Sequence, residues 1–147
     1  MKPTRASPSL AEEQALRALG CRRVAGVDEA GRGAWAGPVV AAAVILPDDR
    51  SIARILRGVN DSKKLTAARR ELLRATIRSA AADWAVGMAS NGEIDALGIL
   101  PATRLAMMRA VAGLRLAPDG LLIDAVKLPD MTIRQKAFNF ADAISLS

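Results

Sequence analysis

Short apolar runs alternate with longer amphipathic stretches along this chain, and their spacing predicts an α/β domain. Residues 24–29 are an apolar run that ends on two acids, Asp28 and Glu29, and read as a buried strand. The apolar run 39–46 reads as a second strand, closed by Pro47, Asp48 and Asp49. Residues 84–90 predict a third strand and 121–124 a fourth, the latter with three apolar positions before Asp124. A weaker fifth strand is expected over 136–140. Helices are predicted over 9–19, 66–82, 91–97 and 101–114. Ser9 with Glu12 forms a capping-box pattern, Gly20 marks a stop, Thr66 is placed to cap, and Pro101 suits a first turn. The short link between the first two strands predicts antiparallel pairing. The helix before the fourth permits it to lie parallel to the first. We therefore expect a mixed sheet with helices on both faces.

With 147 residues the chain suits one domain. Its 51% hydrophobic content overstates the core, because much of it is alanine. The longest apolar run, 39–46, is far shorter than a membrane span, and no apolar signal core opens the chain. We therefore expect a cytoplasmic protein without membrane contact, acting as a monomer. A single cysteine, Cys21, leaves no internal disulfide and no two-thiol metal motif. Histidine is absent, which removes Ser–His and Cys–His nucleophiles and His-containing zinc sites. Carboxylates remain, with the ions they prefer, Mg²⁺ or Mn²⁺. A net charge of +6 fits a polyanionic partner, although an Arg- and Ala-rich composition can also be coding bias.

Asp28, Glu29 and Asp124 end two strands. If those strands are parallel neighbours, the carboxylates meet at one sheet edge, where open α/β sheets bind ligands. Such a cluster repels itself and calls for cations, and two divalent ions would supply phosphodiester chemistry. The plainer alternative is a helix cap or a solvated turn, and alternation sends Asp28 and Glu29 to opposite faces unless the backbone turns. Gly31, Arg32 and Gly33 follow the acids. The glycines leave backbone that a ligand can approach, and Arg32 can fork onto a phosphate; a tight turn alone would look the same. Lys63 and Lys64 could meet phosphates or be solvated surface. Arg70, Arg74 and Arg78 line one side of a helix, which reads foremost as a solvated face.

The stretch 24–33 (VAGVDEAGRG), with Ala36-Gly37-Pro38-Val39-Val40, resembles the signature of the ribonuclease HII family. Asn60-Asp61-Ser62-Lys63-Lys64-Leu65 resembles its second motif. Ala89-Ser90 with Glu93-Ile94-Asp95, and Leu122-Ile123-Asp124, resemble two more. The Ala-Gly-Arg-Gly form differs from the Ser-Gly-Lys-Gly form typical of ribonuclease HIII. Ala34, Ala125 and Ala141 stand where the family usually has Pro, Gly and Gly. The resemblance implies a ribonuclease H-like fold with Asp28, Glu29, Asp124 and Asp142 as catalytic metal ligands. It implies Mn²⁺ or Mg²⁺ as cofactor and a substrate of RNA/DNA hybrid or ribonucleotide-containing duplex DNA. The Gly31-Arg32-Gly33 backbone is then expected to read the 2′-hydroxyl, with Ser62, Lys63 and Lys64 also on the substrate. Hydrolysis would proceed by two-metal catalysis, leaving a 3′-hydroxyl and a 5′-phosphate.

Residues 1–20 are expected to form a helical extension and 21–147 a catalytic domain. The resembled family continues past this point through further helices, one part bearing a tyrosine that helps recognise DNA. The expectation is therefore a C-terminally incomplete domain, its activity crippled. The alternatives are a non-catalytic nucleic-acid-binding fragment and a DNA nuclease on the same fold.

Overall fold

In the computed structural model, which describes residues 9–33, 37–59, 64–124 and 126–138, the chain begins with α1 (Ala11–Ala18), β1 (Val24–Ala30) and β2 (Val39–Ile45). Two helices follow, α2 (Ile52–Ile55) and α3 (Ala67–Ala80), then β3 (Asp83–Ala89), α4 (Asn91–Leu97) and α5 (Ile99–Ala112). The described part closes with β4 (Gly120–Asp124) and β5 (Arg134–Phe138). The strands form one mixed sheet in the order β3-β2-β1-β4-β5. β1–β2 and β2–β3 are antiparallel, whereas β1–β4 and β4–β5 are parallel. Both expected pairings of β1 are therefore present, and helices lie on both faces.

Alternation sorts the two faces. Val39, Ala41, Ala43 and Ile45 of β2 and Ala85 and Ala89 of β3 are buried toward α5. α5 answers with Ala102, Ala106, Met107, Ala110 and Val111. Small residues on both sides let the helix lie close, and Gly87 is where it lies closest. A Cβ there would stand 2.2 Å from the Ala106 carbonyl oxygen and 2.3 Å from the Ala110 nitrogen. The alanines thus form much of the core rather than merely inflating its composition.

On the other face, α1 packs Leu16 against Val24 of β1 and Leu122 of β4. A third cluster joins Leu46, Ile52 and Leu56 to Val44 and to Ile77 of α3. α3 itself fully buries only Leu73. Trp84, Val86 and Met88 of β3 remain exposed on this face, with Arg78 stacked 4.2 Å from the Trp84 ring centroid.

Three local expectations are corrected. The Ser9–Glu12 capping box does not form: Leu10 occupies the cap position without a side-chain bond, while Glu12 pairs with Lys136 of β5. A contact across the fold outcompetes a local one. α5 begins at Ile99 rather than at Pro101, which sits inside the first turn where its missing N–H costs nothing. β5 spans Arg134–Phe138, two residues ahead of the expected segment. The Thr66 cap is present, its hydroxyl accepting from Arg69 N–H at 3.2 Å. α2 was not anticipated.

Two acids secure the sheet edge where β1, β3 and β4 begin. Asp83 is 2% exposed and accepts from the backbone N–H groups of Arg115 at 2.6 Å and Leu116 at 2.9 Å. Those bonds, Leu116 first, hold its carboxyl below the usual range. Asp119 accepts from the N–H groups of Arg22 and Arg23 at 2.9 and 2.8 Å, pinning the entrance of β4 to that of β1.

Candidate active site

The register of β1 on β4 runs from Val24 opposite Gly120 to Val27 opposite Ile123. Asp28 and Asp124 are the next residues of each strand, side by side on strands about 4.8 Å apart. Both fall on the face that α1 covers, as alternation from Val24 and Leu122 requires. Glu29 falls on the opposite face because β1 continues in extended form to Ala30. The edge is the C-terminal one, away from Asp83 and Asp119.

Asp28 accepts from the Glu29 N–H at 2.7 Å. Its pKa is pushed from 3.8 up to about 7, first by desolvation and then by the neighbouring carboxyls of Glu29 and Asp124; the Glu29 N–H opposes the shift. Glu29 is the more enclosed acid, with a side chain 13% exposed. Its Oε1 lies 3.4 Å from Arg32 Nη1, and its Oε2 is buried without a hydrogen-bond partner. A buried, unpartnered carboxylate oxygen beside a crowded pair of aspartates fits a cation. Among the described residues no three acids converge closely enough to hold an ion by themselves. Magnesium-type ions commonly take one or two carboxylates and complete their shell with water and substrate phosphate.

Gly31 follows with φ +91°, and a Cβ there would meet the Pro38 carbonyl oxygen at 2.6 Å. Gly33 faces open space, with nothing within 4 Å of its Cβ position. The two glycines therefore differ: Gly31 shapes the loop, and Gly33 leaves room beside it. Lys64 is exposed at the end of its loop. Ser62, Lys63 and Asp142 lie outside the described residues.

The arginines of α3 each engage the chain. Arg70 donates to the Leu65 carbonyl at 3.3 Å, Arg74 pairs with Glu71, and Arg78 stacks on Trp84. That agrees with an exposed helix face rather than a row reserved for phosphates.

Ser90 and Glu93, singled out above only as part of a family motif, build a brace at this same edge with Arg109, which the sequence reading did not name. Glu93 completes a capping box with Ser90 and takes a two-pronged bond from Arg109 at 2.7 and 2.8 Å. Arg109 also donates to the Met88 carbonyl at 2.7 Å, tying the end of β3 to α4 and α5. Arg109 first, then the Ser90 N–H, hold the Glu93 carboxyl down to about 2. The Ser-x-x-Glu spacing of residues 90–93 was the available signal. Gln135 was also missed. Its amide accepts from Leu128 N–H at 2.9 Å and donates to the carbonyls of Leu128 and Met131 at 2.7 and 3.1 Å. It holds the loop that follows Asp124.

The ribonuclease HII family profile matches residues 25–145. The chain belongs to the ribonuclease HII family. It is 54% identical over 142 residues to the ribonuclease HII of Roseiflexus castenholzii, a match covering 95% of this chain and 63% of that protein. The chain thus spans less than two thirds of that relative's length. The crystal structure of ribonuclease H2 from Pyrococcus horikoshii OT3 is 31% identical, with a TM-score of 0.68 over 82% of this chain and 64% of that one. Bst-RNase HIII, solved in complex with Mn²⁺, shares the fold at 24% identity and a TM-score of 0.64, covering 85% of this chain and 47% of that one. The ribonuclease H-like α/β architecture is thereby shown. Among the described residues, no helix is long and apolar enough to cross a membrane.

Proposed function

We propose that this chain hydrolyses the RNA strand of RNA/DNA hybrids, and single ribonucleotides embedded in duplex DNA, with Mn²⁺ or Mg²⁺. The products would carry a 3′-hydroxyl and a 5′-phosphate. The observation that carries the reading is the placement of Asp28 beside Asp124 at the C-terminal edge of two parallel central strands. Family membership supplies the substrate class.

In this reading Asp28, Glu29 and Asp124 hold the cations at the strand ends, where the Glu29 carboxyl comes near that of Asp28, with Asp142 as the fourth ligand by resemblance. A bound pair of divalent ions supplies activation of the nucleophile and charge for the leaving oxygen. The hydrogen-bonded ladder keeps the two aspartates at a spacing that thermal motion alters little. The Gly31-Arg32-Gly33 segment presents backbone to the ribose, so that its 2′-hydroxyl separates RNA from DNA. Ser62, Lys63 and Lys64 would steady the phosphates on the flank.

The open space at Gly33 yields a prediction. Gly33→Ala is expected to fold normally yet lose cleavage more than it loses general duplex affinity. Gly31→Ala should lower thermal stability as well, because of its positive φ and the Pro38 carbonyl. Melting curves beside the ratio of cleavage to binding distinguish them, and an unchanged ratio for Gly33→Ala would leave the segment as a simple turn.

The function itself is tested with a duplex bearing one ribonucleotide, an RNA/DNA hybrid and an all-DNA duplex, each with Mn²⁺ and with EDTA. Cleavage of the first two that EDTA stops is the expected result. Cutting of all-DNA duplex would point to a DNA nuclease. The second reading is duplex binding without turnover. Metal-independent binding with no product would establish it.

A further inference from the structure

Glu29 and Arg32 make an uneven pair. The Glu29 side chain is 13% exposed and that of Arg32 40%, and they meet at 3.4 Å. One Glu29 oxygen is left without a partner. An enclosed carboxylate needs a balancing charge, and this contact provides it through one nitrogen at 3.4 Å, from a side chain about three times as exposed as its partner. Arg32 also stands on a turn of fixed shape, since Gly31 holds φ +91° with its Cα face against the Pro38 carbonyl. Rotation about the side-chain bonds of Arg32 is enough to carry its guanidinium away from Glu29.

We propose that Arg32 is an exchangeable counter-ion: it balances Glu29 until a divalent cation arrives, and once displaced it grips a phosphate of the duplex. The inference rests on the reading of these acids as metal ligands. A guanidinium and a divalent ion sharing one carboxylate repel each other strongly at such range, so entry of the ion expels the side chain. The freed fork matches a phosphate, the partner for which planar, two-pronged donors are best suited. Ion binding and duplex binding are then coupled, each strengthening the other by the same factor. Arg32 acts here as a positioning residue that links two ligands rather than as a group in the chemical step.

The coupling is read without turnover. Mn²⁺ is titrated into the wild-type chain, Arg32→Gln, Arg32→Lys and Asp28→Asn, with free ion followed by its paramagnetic resonance signal. All-DNA duplex affinity is measured with and without Mn²⁺. Circular dichroism checks that each variant folds. Arg32→Gln should bind Mn²⁺ about fivefold more tightly in the absence of duplex, the scale of one partly exposed ion pair. It should also lose most of the gain in duplex affinity that Mn²⁺ confers on the wild type. Arg32→Lys, which keeps the charge, should stay close to wild type in Mn²⁺ affinity. Equal or weaker Mn²⁺ binding by folded Arg32→Gln, with binding lost in Asp28→Asn, overturns the exchange and leaves the metal site standing. No Mn²⁺ binding by the wild type overturns both.

Discussion

Asp28→Asn is expected to reduce cleavage of a ribonucleotide-containing duplex by more than about a hundredfold, the cost of even a 1 Å misplacement at a reacting centre. The same variant should be the more stable protein when metal is withheld. The sign follows from the raised carboxyl. Asp28 ionises near 3.8 in the unfolded chain and at about 7 in the fold. Its protonated form is thus favoured by folding. Stability tied to that proton is complete below about pH 4 and is lost as the pH rises through 7. Asparagine carries no such proton and escapes the loss. Melting temperatures in EDTA should therefore coincide for the two proteins at pH 4 and diverge in favour of Asp28→Asn at pH 8. Excess Mn²⁺ should reverse the order at pH 8, because the ion stabilises only the chain that binds it. A folded Asp28→Asn protein with near-normal turnover, or one with no pH-dependent advantage, would contradict the crowded-acid account.

The second large effect lies away from the chemistry. Gly87→Ala should cost about 3 kcal/mol, the upper end of ordinary overpacking, which corresponds to a fall in Tm of roughly 6–12 °C. The reason is what the added methyl would meet: backbone atoms of Ala106 and Ala110 at 2.2 and 2.3 Å. Backbone in mid-helix cannot rotate aside as a side chain can, so α5 as a whole must lift. Gly92→Ala is the natural control. Its methyl would come no closer than 4.0 Å to the Ser90 hydroxyl, and it lies within α4. There alanine should be neutral or stabilising by about 0.5–1 kcal/mol. Thermal melts of the two variants beside wild type decide the matter, and an unshifted Gly87→Ala would mean that α5 is loosely held.

The sheet and its candidate site were largely legible in the sequence because their signals are local. Asp28 and Asp124 each end an apolar run, and short or helical connections dictate which strands pair. Thr66 announces its helix through a bond spanning three residues. What stayed hidden depends on distant partners. Glu12 looks like half of a capping box until Lys136, 124 positions later, takes it. Nothing next to Asp83 and Asp119 in sequence marks them, and only the folded chain brings backbone N–H groups to them. Nothing near Gly87 in sequence points to the helix that lies against it. Alternation along β1 separates Asp28 and Glu29 by face, and Arg32 as the partner of Glu29 became visible only in three dimensions.

The uneven contact of the helices sets the order in which this protein comes apart. α5 meets β3 backbone to backbone and buries six residues, whereas α3 fully buries one. Opening free energy follows such contact, so α3 belongs to the shallow fluctuations and the β2–β3–α5 unit to the deepest. The acids of β1 and β4 stand between these extremes, on strands flanked on both sides. The amide hydrogens of α3 are accordingly expected to exchange faster than those of the strands that carry Asp28 and Asp124.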